Sequence, residues 1–210
     1  MIGIRKTFLV VGATLIAALA SANPFLSALQ QAGSSEVQPG AQATEGLGQA
    51  RNLFQENRGQ WDARALFHTY GPGYSYWATR TGATLDYFTI REVDGEDRRV
   101  GHVVQMRIDG ATGQGARGKG LTASPLRIDY TGPHKGRNTR GVRGFAEAWT
   151  DEVLPGVDMR HYKQSGVPRY DIVAAPFVKA EQITLVFDGA KGVEVDSNGD
   201  LLIHTSIGTA

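Results

Sequence analysis

Val104-Gln105-Met106-Arg107-Ile108-Asp109 alternates apolar and polar side chains without a break. A period of two puts Val104, Met106 and Ile108 on one face of an extended strand and the polar three on the other. The same rhythm recurs at Ile183, Leu185 and Phe187, and again at Val193 and Val195. Tyr74 to Ala78 and Thr84 to Ile90 are rich in aromatic and β-branched residues, which suit a pleated, half-buried surface. Glycine or proline punctuates the gaps, as at Gly71-Pro72-Gly73, Gly82, Gly95, Pro133, Pro155-Gly156, Pro168 and Gly189. After Leu53 no stretch carries the period of an amphipathic helix of three turns. The pattern predicts that residues 51–210 form an all-β domain, a mostly antiparallel β-sandwich or flattened barrel of many short strands.

The segments before it read differently. Arg5-Lys6, the apolar run Phe8 to Ala20 and Ala20-Ser21-Ala22 follow the order of a cleaved export signal. The run covers 13 residues, against the roughly 20 that a membrane-spanning helix needs. Residues 1–22 are therefore expected to be a signal peptide, with cleavage before Asn23 and a secreted or cell-surface destination. Residues 23–50 hold Ser34-Ser35, Pro39-Gly40 and few large apolar groups, the composition of a linker or loosely ordered arm.

Composition excludes several chemistries. The 210 residues contain no cysteine, so disulfides, thiolate metal sites and cysteine nucleophiles are ruled out. Lys and Arg total 22 against 21 Asp and Glu, and a formal charge of +1 gives no global field for nucleic acid or acidic membranes.

Local words suggest turns more than chemistry. In Phe54-Gln55-Glu56-Asn57-Arg58-Gly59-Gln60 the glycine suits a turn with positive φ, and Asn57 and Gln60 can bond backbone groups freed where the strand begins. Pro155-Gly156-Val157-Asp158 reads as a turn, then a strand whose Asp caps the turn or pairs with an arginine. Asn198-Gly199, between Val193-Glu194-Val195 and Leu201-Leu202-Ile203, reads as a type I′ hairpin. Asp196, Asn198 and Asp200 have the spacing of a calcium loop, but Leu201 and Ile207 stand where its glycine and glutamate belong. Leu201 to Thr205 is expected at a sheet edge, with self-association a consequence.

These words, in order, resemble a known family. The series Phe54 to Gln60, Gly71-Pro72-Gly73-Tyr74, Arg107 to Ala111, Ile128 to Gly132, Leu154 to Met159, Arg169 to Ile172, Ile183 to Gly189 and Asp196 to Leu201 is similar to the N-terminal domain of unknown function of bacterial cell-surface proteins that carry SBBP (β-propeller) repeats. The resemblance covers Leu53 to Gly208. It implies surface location and downstream β-rich domains as partners and carries no catalytic assignment to transfer; because related proteins continue into repeats, this chain is expected to be a short or truncated member. Two departures stand out: Asp129-Tyr130 replaces the family's Asn-Tyr, and Pro133 to Gly144 is unusually basic.

Catalytic and cofactor patterns are absent or incomplete. Gly113 to Gly120 nearly spells a phosphate loop but lacks its Ser or Thr, and no helix pattern follows, so no nucleotide is expected. The histidines His68, His102, His134, His161 and His204 are scattered, and Asp158 and His161 would face opposite ways on a strand. Asp151-Glu152 with Asp171 is the remaining carboxylate pair that a secreted hydrolase would require. The reading is therefore of a non-catalytic exported module with a structural or adhesive role and no cofactor or metal.

The alternative is a module binding polysaccharide or another anionic ligand. From Gly113 to Gly144 seven cationic residues face Asp129 alone, a local charge of +6, with Arg137, Arg140 and Arg143 as the candidate anion-binding residues for an acidic polysaccharide. Trp61, Tyr74, Tyr76, Trp77 and Trp149 are the candidate stacking platforms.

Overall fold

The computed structural model describes residues 4–7, 48–131 and 138–210, the first of these by backbone alone. Apart from Ile4–Thr7 the expected leader lies outside the described residues, as do linker residues 23–47 and Arg137.

Within them the chain is almost entirely strand: β1 (Ile4–Thr7), β2 (Phe54–Glu56), β3 (Ala65–Gly71), β4 (Tyr74–Thr79), β5 (Gly82–Val93), β6 (Glu96–Ile108), β7 (Arg117–Tyr130), β8 (Thr139–Leu154), β9 (Val157–Gln164), β10 (Val167–Ala174), β11 (Thr184–Asp188), β12 (Gly192–Val195), β13 (Leu201–Thr205) and β14 (Gly208–Thr209). A 3-10 turn at Ala180–Gln182 precedes β11. Among the described residues no helix is long and apolar enough to cross a membrane.

The main sheet runs β1-β11-β6-β5-β4-β3-β2-β8-β9-β10, with β7 added alongside β8, and every pairing is antiparallel. It curls into a half-barrel. The all-β antiparallel expectation holds. Four strands are longer than the glycine punctuation suggests: β5 to β8 span 12, 13, 14 and 16 residues. In β7 and β8 the reason is steric. A Cβ on Gly120 would lie 2.4 Å from the Phe145 ring, and one on Gly144 would lie 2.7 Å from Leu53. These glycines admit a neighbour against the strand; they do not end it.

The concave side is the core. Thr69, Tyr76, Leu85 and Val104 form one cross-strand row, and Ala78, Ala83, Met106 and Phe187 the next. All eight are buried, and Phe54, Met159 and Val157 close in from the other wall. Val193 joins this core, whereas Val195, beside the hairpin loop, is 48% exposed.

A second, three-stranded sheet, β12-β13-β14, packs Ile203 and Ile207 into the same cluster. His102 fastens it. Its Nδ1 accepts the Ser206 N–H at 3.2 Å, so Nε2 carries the proton and donates to the Gly189 carbonyl at 2.8 Å. The expectation that Leu201–Thr205 forms an edge fails, because β13 pairs with β12 on one side and β14 on the other. The Asn198-Gly199 hairpin forms, but not as a type I′ turn. Gly199 has φ +88° while Asn198 does not have positive φ. Asp196 draws the loop tight instead, its Oδ1 accepting the N–H groups of Asn198 and Asp200 at 2.8 and 2.9 Å. That carboxylate oxygen is thereby turned to the loop's own backbone.

Candidate functional site

The Phe54–Gln60 segment builds the corner on which the outer face depends. Phe54 is fully buried, and Gly59 has φ +104°, a conformation open to glycine. Asn57 Nδ2 donates to the carbonyls of Asp62 and Ala65, both at 2.8 Å, while Oδ1 accepts the N–H groups of Gly59 and Trp61 at 3.0 and 3.3 Å. Gln60 accepts from the Arg58 N–H and donates to the Glu56 carbonyl, both at 2.7 Å. Both amides are therefore consumed in holding a turn. What that turn presents is Trp61.

Outside the half-barrel a single row crosses six strands: Gln55, His68, Trp77, Thr84, Gln105 and Asp188 are successive cross-strand partners from β2 to β11. His68 and Trp77 stack with centroids 3.9 Å apart and planes 26° apart, so the rings stand up from the sheet side by side. Tyr70 stacks on His68 from its own strand at 5.7 Å. Trp61 closes over them edge-on, 5.0 Å from His68, 5.3 Å from Trp77 and 5.2 Å from Tyr130. Tyr130 in turn donates to Gln55 Oε1.

His68 is 9% exposed, and neither ring nitrogen has a hydrogen-bond partner among the described residues. Burial, helped by the Lys163 cation, lowers it to about 4, so the ring is neutral near pH 7. Lys163 is itself pushed down to about 8 by burial, and donates to the carbonyls of Arg51 and Tyr70.

Beyond Trp77 the row drops to the short side chain of Thr84, with Gln105 next on β6. A groove of about 590 Å³ opens there, bordered by Trp61, Trp77, Arg80 and Val103. Val103 is 53% exposed. Asp62, at the rim, is forked onto Arg64 at 2.9 and 3.0 Å, and this pairing holds its carboxyl down at about 2. Tyr74 and Tyr76, proposed platforms, belong to the core; Trp61 and Trp77 line the groove. Trp149 lies half-buried on β8 between its cross-strand partners Lys119 and Arg160.

Inside the half-barrel lies a polar chain that sequence reasoning missed. Tyr76 Oη lies 2.7 Å from His161 Nδ1, and His161 Nε2 lies 3.2 Å from Thr150 Oγ1, which reaches the Thr79 carbonyl at 3.4 Å. Only one proton arrangement uses every contact. Thr150 donates to the carbonyl, His161 Nε2–H donates to Thr150, and Tyr76 donates to Nδ1. Burial lowers His161 to about 3, which keeps the ring neutral. The chain ends on a backbone oxygen and has no opening to solvent: Tyr76, Thr150 and His161 are all buried.

The remaining sequence candidates are dispersed. Arg143 forks onto Glu56, Nε to Oε1 at 3.1 Å and Nη2 to Oε2 at 2.8 Å; burial pushes Glu56 up, but this arginine outweighs it and holds the carboxyl below its usual range. Arg140 is exposed and offers its carbonyl to Arg58. Asp158 Oδ1 caps the Glu152 N–H at 2.7 Å, where β8 bulges before the Pro155-Gly156 turn. Gly156 there has φ +73°. Asp171 is held by Arg160 and Tyr162, and Arg160 also forks onto Glu147. Among the described residues no three His, Asp or Glu side chains converge as a metal site.

A family described as a domain of unknown function (DUF7948) matches residues 54–210, beginning at the buried Phe54 of the Asn57 turn. The chain belongs to the DUF7948 family. The match spans the half-barrel from β2 onward together with the three-stranded sheet, so both lie within the DUF7948 unit. It carries no link to SBBP repeats. No curated protein matches the chain, and no solved structure does.

Proposed function

We propose that this DUF7948 domain is a non-catalytic, adhesive module of an exported bacterial surface protein, set among further β-rich domains of the SBBP-repeat kind. The observation that carries the reading is the division of labour between the two faces of the sheet. The concave face is filled by Tyr76, Met106, Phe187 and Met159, and its polar chain through His161 closes on the Thr79 carbonyl. The convex face holds its aromatic row on rigid strands and leaves Trp77 at the border of an open groove. A filled interior with recognition groups on the outside suits contact with a partner. The N-terminal Arg5-Lys6, apolar run and Ala20-Ser21-Ala22 support export.

Expression of the full chain in a bacterial host tests the setting. Extracellular or surface-associated protein beginning at Asn23 is the expected result. An uncleaved cytosolic chain would overturn the exported role.

A further inference from the structure

We infer that the groove beside Trp77 is a saccharide site, and that its ligand is an acidic, uronic-acid-containing polysaccharide. The inference names what the adhesive face holds, and so rests on that reading.

Trp77 has two unlike faces. One is covered by His68 at 3.9 Å. The opposite one looks toward Thr84, its partner on β5, whose side chain is too short to cover an indole. Trp61 closes one end of the trough, meeting Trp77 at 84°. A pyranose ring offers a patch of C–H groups that packs on an aromatic face and a rim of hydroxyls that need partners. The groove supplies both.

Its hydrogen-bonding groups stand ready. Thr79 borders the groove, is 8% exposed, and its Oγ1 has no hydrogen-bond partner among the described residues. A buried hydroxyl left unpaired is costly, and a sugar hydroxyl in the groove would satisfy it. Gln105, next in the row after Thr84, adds an amide that both donates and accepts.

The charge selects the ligand. Asp62, the carboxylate at this groove, is already forked onto Arg64. Arg80 uses Nη1 on the Ala116 carbonyl at 3.0 Å and has no carboxylate partner among the described residues. Arg117 stands in the adjoining depression, which Arg80 and Trp61 share. A ring carboxylate can fork onto the free edge of Arg80 while the sugar face packs on Trp77.

Calorimetric titration of the full chain with oligogalacturonate, a neutral β-glucan oligosaccharide and a thymidine oligonucleotide tests this. Trp77→Ala removes the platform; Thr84→Tyr covers its free face without removing the His68 stack; Arg80→Gln removes the charge. The expected result is saturable binding of oligogalacturonate, at least tenfold stronger than of the neutral oligosaccharide and weakened by salt. Thr84→Tyr and Trp77→Ala should abolish it, and Arg80→Gln should weaken it about tenfold, a loss of ~1.4 kcal/mol. Melting curves identify variants that fail to fold, and Thr84→Tyr decides if Trp77→Ala does. Absence of wild-type binding, equal binding of the neutral sugar, preference for the oligonucleotide, or binding indifferent to Thr84→Tyr would each overturn the inference. Failure here would leave cleavage at Asn23 untouched, so the two readings fall separately.

Discussion

The hydroxyl of Tyr76 on β4 lies 2.7 Å from Nδ1 of His161 on β9, a hydrogen bond thrown across the inside of the half-barrel. The two strands are four places apart in the sheet, so this contact exists only when the sheet has curled. Tyr76→Phe keeps the ring and leaves His161 Nδ1 buried without a donor. The expected cost is about 1–3 kcal/mol, measured by urea unfolding, with the native strand signal retained.

Both buried histidines make stability depend on pH. His68 at about 4 and His161 at about 3 lie below the ordinary 6.5, because burial disfavours the charged ring. The unfolded chain takes up protons that the folded chain refuses, so the stability contributed is fully present above pH 6.5 and is lost as pH falls. Each group steepens the loss by at most ~1.4 kcal/mol per pH unit. Thermal melts of His68→Phe, which keeps a ring on Trp77, should show a shallower decline between pH 6.5 and 4 than wild type. An unchanged slope would contradict a neutral His68.

Asn57→Ala removes four bonds that hold the corner under Trp61. At roughly 1 kcal/mol each, reduced by relaxation and water, a loss of about 2–4 kcal/mol in denaturant unfolding is expected.

Sequence alone disclosed part of this. The alternation through Val104, Met106 and Ile108 was legible because a strand's two faces differ every second residue, and the Asn57 turn was legible because its chemistry is local. The Gln55–His68–Trp77–Thr84–Gln105 row was not, since it exists only once turns and bulges have set the register of five strands. His161 escaped for the same reason: Tyr76 reaches it from 85 residues away. Basic residues between Gly113 and Gly144 looked like one surface, yet Arg143 meets the Glu56 carboxylate from β2.

That pairing separates the arginines. Arg140→Gln should leave the melting temperature unchanged, whereas Arg143→Gln should lower it, because Glu56 keeps its charge and loses its partner. The double variant with Glu56→Gln should recover part of the loss. Equal, negligible effects of both single changes would contradict the observed fork.

In β13, paired on both sides, Ile203→Lys places a charge on a core position. Destabilisation of about 3–5 kcal/mol is expected, in place of the dispersal that an edge strand would show on sedimentation.

The claim that the outer face does the work while the interior only holds the fold has one direct measurement. The domain is displayed on a bacterial surface at matched, antibody-quantified levels, and adherence to polygalacturonate-coated plates is compared for wild type, Trp77→Ala, Thr84→Tyr and Tyr76→Phe. Adherence lost with the two groove variants and kept with Tyr76→Phe is the predicted result. Adherence that survives both groove changes, or that vanishes with Tyr76→Phe alone, would contradict it.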